Sequence, residues 1–167
     1  EMFELASRCR DEGALSKAQV VFDNLVKTFP GSPYSDRALE HIVVLDKFPA
    51  ELEKIQQLIN ECSLDIAEKL LNSLREKIPV HKKYAEIEQQ IADVRSAIRE
   101  IDTQTGLLSS DELEQDEWKK LFVSVKEKAD AINYTPSEFA GPEKRFVLLE
   151  GFDVVEKYKK QNRYRDI

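Results

Sequence analysis

Ala18-Gln-Val-Val-Phe22-Asp-Asn-Leu25-Val-Lys-Thr-Phe29-Pro30-Gly-Ser-Pro33 brings together a small residue, a large apolar residue four later and a proline eight beyond that. Ala18, Phe22 and Leu25 fall at i, i+4 and i+7, so they share one face of a helix. Pro30 and Gly31 stop that helix, because proline has no N–H to donate and its ring clashes with the preceding turn. Ser32 and Pro33 open the next helix, with serine in the capping position and proline at the first helical residue. The stretch predicts a helical corner packed closely at its alanine.

The cadence returns further along. Glu12-Gly-Ala-Leu15 and Ala18 are answered by Glu61-Cys-Ser-Leu64 and Ala67, and Phe22, Leu25 and Pro30 by Leu71, Leu74 and Pro79. Phe3 and Ala6 correspond to Leu52 and Ile55 upstream, and Ile42 to Ile91 downstream, all at one offset of 49 residues without a gap. A three-helix unit occurring twice, over residues 1–49 and 50–98, is the expectation. The second copy carries Cys62 for the loop glycine, Leu71 for the aromatic and Val80-His81 for the glycine-serine turn.

Gly13, Ala18, Phe22 and Pro30 stand at the spacing of the tetratricopeptide repeat, and the chain resembles that family over residues 1–48. The wording around Pro30-Gly-Ser-Pro-Tyr34 is most similar to the variant found in bacterial envelope proteins. The resemblance implies a right-handed stack of antiparallel helices that holds a peptide or partner subunit and performs no chemistry of its own. It also implies a bacterial periplasmic or envelope setting. The first helix of such a repeat lines the groove, which nominates Ser7, Arg10 and Asp11, with Arg37 and His41 on the third helix, as partner-binding residues. The alternative for each is plain solvated surface. Two copies are few for a repeat array, so further repeats upstream of Glu1 are expected.

Composition agrees with an all-α chain. The 167 residues are long enough for a real core, and 41% hydrophobic with 34% charged suits amphipathic helices bearing exposed faces. A net charge of −7 argues against a general nucleic-acid or anionic-membrane binder. No apolar run approaches the roughly 20 residues a membrane span requires.

About eight helices are expected, over residues 2–12, 15–29, 33–48 and 50–61 in the first half, with Pro49 either ending the third or opening the fourth. The fifth carries the second corner, and the sixth covers 82–101. On that sixth helix Tyr84, Ile87, Ile91, Val94, Ile98 and Ile101 alternate steps of three and four. This is a core-facing stripe or the seam of a coiled-coil homodimer. Asp102 to Ser110, rich in threonine, glycine and serine, reads as a loop. Ser109-Ser-Asp-Glu112 has the capping-box pattern for a seventh helix bearing Trp118, Leu121, Phe122, Val125 and Ala129. Gly141-Pro142 reads as a break. The last helix, 143–161, is apolar over most of its girth, which predicts that it is sandwiched, with Gly151 admitting a neighbour. Residues 102–167 would cap the stack. A basic aromatic tail follows, from Lys157 to Arg165.

Chemistry has few candidates. His41 and His81 are the only imidazoles, and neither lies in a serine or cysteine motif. Cys9 and Cys62 stand singly, too scattered for a zinc set. Asp111, Glu112, Glu114, Asp116 and Glu117 form an acidic run, as a helix N-terminus favours. No glycine-rich phosphate loop is present. The expectation is a non-enzymatic protein without metal or cofactor.

Overall fold

The computed structural model describes residues 1–110 and 113–163, with side chains through residue 151 and at 153. Those residues are all-α, without strands, in seven helices. They are α1 (Met2–Asp11), α2 (Leu15–Thr28), α3 (Pro33–Asn60), α4 (Leu64–Lys77), α5 (Lys83–Leu108), α6 (Gln115–Ala131) and α7 (Ala140–Arg163). The chain forms two compact units, Glu1–Val94 and Arg95–Ile167.

Helices stop where the local signals agree. At the end of α1, Gly13 takes φ +78, its N–H reaches the Arg10 carbonyl at 3.0 Å, and Ala14 N–H reaches that of Cys9 at 2.8 Å. This pair of bonds is the Schellman closure, which requires a left-handed residue just past the helix. At the end of α3, Cys62 takes φ 55 and repeats both bonds, to Ile59 at 3.0 Å and from Ser63 to Leu58 at 2.8 Å. A third such closure ends α6, where Asn133 has φ 54 and Tyr134 N–H reaches Ala129 at 2.9 Å. The Asn133-Tyr-Thr135 sequence is therefore a helix end. At the start of α3, Ser32 Oγ accepts from the Ser35 N–H at 3.1 Å and Pro33 follows it.

The two corners at the 49-residue offset are alike in detail. Helix α2 maps onto α4 end for end, from Leu15–Thr28 to Leu64–Lys77. Ala18 and Ala67 are both 0% exposed, and Phe22 and Leu71 are 0% and 2%. Alanine at the centre lets neighbouring backbones approach, while the larger residues fill the volume beside it.

Eight helices become seven because Pro49 neither ends nor opens one. It stands on the exposed side of a single 28-residue helix, α3. The ring removes one N–H, the partner of the Leu45 carbonyl, at a cost of about 3 kcal/mol. Against that, Leu45, Phe48, Ile55 and Ile59 are buried on one continuous stripe spanning the proline. Each contributes roughly 1.5–3 kcal/mol, so burial wins.

Most of the loop expected at Asp102–Ser110, through Leu108, is instead the last two turns of α5. Ile101, Thr105 and Leu108 are buried there at helical spacing. The hydroxyls of Thr103 and Thr105 donate to the carbonyls four residues back, Arg99 and Ile101, at 2.8 Å. Threonines bonded in this way satisfy their hydroxyls within the helix at only a slight cost to it. Gly141-Pro142 likewise fails to break the chain. It lies in the first turn of α7, where a missing N–H leaves no bond unmade. Asp111 and Glu112 of the expected capping box lie outside the described residues, and α6 begins after Glu114.

In Arg95–Ile167 the core holds Ile101, Leu108, Trp118, Phe122, Val125, Ala129 and Phe139. The Trp118 indole N–H donates to the Leu108 carbonyl at 2.8 Å, which anchors α6 to α5. Phe146 and Leu149 of α7 pack on this core, but Val147 and Leu148 are 69% and 63% exposed, so α7 is not sandwiched there. A β-carbon on Gly151 would meet nothing within 4 Å, so no described neighbour uses its small size. The side chains of Phe152 and of the basic tail lie outside the described residues.

Candidate functional site

Four of the five nominated residues come together. Arg10, on α1, points Nη1 at His41 Nδ1 on α3, 2.9 Å away. A guanidinium only donates, so Nδ1 accepts and the imidazole proton resides on Nε2. The same guanidinium holds Asp11 Oδ1 from Nε at 2.9 Å and Nη2 at 2.7 Å. Arg10 is thus half-buried and bonded on both sides. Below, the His41 ring stacks on Phe22, with centroids 5.0 Å apart and planes at 20°.

Arg37, one turn before His41, lies with its guanidinium carbon 4.8 Å from the Phe3 ring centre. Burial lowers the His41 pKa, and the charges of Arg10 and Arg37 lower it further, opposed by Glu40 and Asp11. The imidazole is therefore held neutral. Ser7, half-buried one turn earlier on α1, takes no part in these contacts.

Beside this cluster opens a groove of about 860 Å³ at the α1 end, floored by Phe3, Leu25 and Phe29 and edged by Tyr34 and Arg37. Phe29 and Tyr34 are 53% and 59% exposed. Sequence reading gave this groove no notice, because Phe29 at a helix end looks like any closing apolar residue. A second groove, about 620 Å³, has Phe48, Leu52 and His81 on one side and Gly13, Ser16 and Gln19 on the other. His81 packs edge-on against Phe48 at 4.8 Å. Its pKa is lowered by burial, then by Lys83 and Lys82. The arginine–histidine pairing is not reproduced there, since Ile59 and Gln90 stand where the offset would put Arg10 and His41.

In the other unit, Trp118, Phe139 and Phe146 each stack on Phe122, with ring centres 5.6, 5.2 and 4.5 Å away. An apolar groove of about 700 Å³ runs past Phe122, Phe146, Val147 and Leu148.

The contacts of the two imidazoles are structural. His41 Nδ1 meets Arg10, and His81 Nδ1 accepts from the Lys83 backbone at 3.3 Å. Cys9 is buried, Cys62 half-buried, and neither is in a disulfide. Among the described residues no three of histidine, cysteine, aspartate and glutamate gather as a metal site. No helix among them is long and apolar enough to cross a membrane. The class these observations define is an all-α chain of helical hairpins. No family model, curated relative or solved structure matches it.

Proposed function

We propose that this chain is a non-enzymatic protein-interaction module, a tetratricopeptide-like stack of helical hairpins that holds a peptide or partner subunit at the Arg10–Arg37–His41 surface. The observation that carries the reading is the likeness of the two corners at Gly13 and Cys62. Identical closures at a fixed offset are what a stacked array requires. The surface suits recognition, since a neutral imidazole braced by Arg10 and an arginine laid on Phe3 are ordered before any partner arrives. Ordered side chains lose less entropy on binding.

The test is affinity capture from the native source, using the full chain and the variants Arg10→Glu and Arg37→Glu. A partner retained by the parent and lost by both variants supports the site. Equal capture by all three removes the surface assignment.

The coiled-coil reading of the Tyr84–Ile101 stripe is the less favoured one. Tyr84, Ile87, Ile91 and Ile101 are already buried within the chain, at 1–5% exposure. Only Val94 and Ile98 of the stripe remain half-buried. Light scattering that showed a concentration-dependent dimer would revive it.

A further inference from the structure

The two grooves of Glu1–Val94 are the same groove at two positions. Leu52, Glu53, His81, Lys83 and Glu86 line the second. Their counterparts 49 residues earlier, Phe3, Glu4, Ser32, Tyr34 and Arg37, line the first. What differs is the opposite wall. In the second groove it is the α1–α2 corner, Gly13 to Gln19. That corner sits so close that a β-carbon on Gly13 would lie 2.8 Å from the Val80 carbonyl oxygen. In the first groove the position equivalent to Val80 is Gly31, and a β-carbon there would meet nothing within 4 Å. Ile78 is 0% exposed, and its counterpart Phe29 is 53% exposed.

We propose that the groove at Phe3, Phe29, Tyr34 and Arg37 is an interaction surface for a helical hairpin whose turn carries glycine in the left-handed position. That corner would seat on Gly31 as Gly13 seats on Val80. Glycine is specified because the contact at Val80 leaves no room for a β-carbon. Apolar floor residues supply the driving force, as exposed aromatic surface leaves water. This chain's own Gly13 is already occupied by Val80, so a second copy does not offer that corner. The occupant is a separate hairpin. The inference rests on the stacked-hairpin reading and concerns the groove beside the Arg10–His41 pair, with Arg37 at the border of both.

The test joins an extra copy of residues 1–49 ahead of Glu1 of the full chain, keeping the 49-residue spacing. Tyr34→Phe in the added copy distinguishes its peptides by mass. Amide hydrogen exchange of the original residues 29–35 is expected to slow at least about tenfold relative to the parent chain. Two blocking variants, Gly13→Val in the added copy and Phe29→Asp in the original unit, are each expected to abolish the slowing. No slowing, slowing that survives both variants, or an added copy that gains no helix by circular dichroism would overturn the proposal. Failure of the Arg10→Glu and Arg37→Glu capture experiment would leave the exchange result standing, so the two readings fail separately.

Discussion

Gly13 lies against Val80: an ideal β-carbon on the glycine would stand 2.8 Å from the Val80 carbonyl oxygen, while the backbone holds φ +78. Two constraints therefore meet at one residue. The left-handed conformation ends α1, and the missing side chain lets the corner touch the loop between α4 and α5. At the equivalent corner Cys62 holds φ 55 with a β-carbon in place.

Replacing Gly13 with alanine is accordingly expected to cost about 1–3 kcal/mol, from left-handed strain together with the clash. Cys62→Gly should go the other way, stabilising by up to about 1 kcal/mol through relief of the strain. Urea denaturation of the two variants checks the pair. Equal effects of the same sign would contradict the account.

Acid should destabilise the Glu1–Val94 unit through its histidines. Burial and neighbouring cations hold His41 and His81 below the ordinary value of 6.5. As pH falls, the unfolded chain takes up those protons first. The stability these groups contribute is thus complete above about pH 6.5 and is lost as the pH drops through their lower native values. Urea midpoints should fall between about pH 7.5 and about pH 5.5, and less steeply in His41→Gln, which cannot titrate. A slope unchanged by that variant would show that His41 does not contribute.

Pro49→Ala should stabilise. Alanine returns an N–H toward the Leu45 carbonyl and removes the ring from the turn before it, worth about 1–3 kcal/mol after the entropy that proline removes from the unfolded chain. Thermal unfolding followed by circular dichroism measures it. A lower midpoint would mean that the local shape of α3 at Pro49 serves the packing of Phe48.

Trp118→Phe keeps an aromatic ring in the stack but leaves the Leu108 carbonyl, fully buried at 1% residue exposure, without its donor. The expected loss is about 1–3 kcal/mol. As the chain has one tryptophan, the parent's emission reports this site alone and should shift red on unfolding.

Much of this architecture is determined locally. The glycine after α1, the Ser32-Pro33 start of α3 and the Ala18 cadence each act through neighbouring residues, so sequence alone determined the all-α class and the two matching corners. The continuity of α3 through Pro49, and of α5 through Thr103, Thr105 and Gly106, was decided by tertiary structure. There the local signals said stop, and a buried stripe running past them outweighed the hydrogen bond lost at Pro49 and the backbone entropy cost of Gly106. The same division holds at the site. Sequence spacing put Arg10, Arg37 and His41 on helices, but residues 31 apart meet only when α1 and α3 pack. Which apolar residues remain open, Phe29 rather than Ile78, depends on a corner arriving from elsewhere in the fold, and no local pattern encodes that.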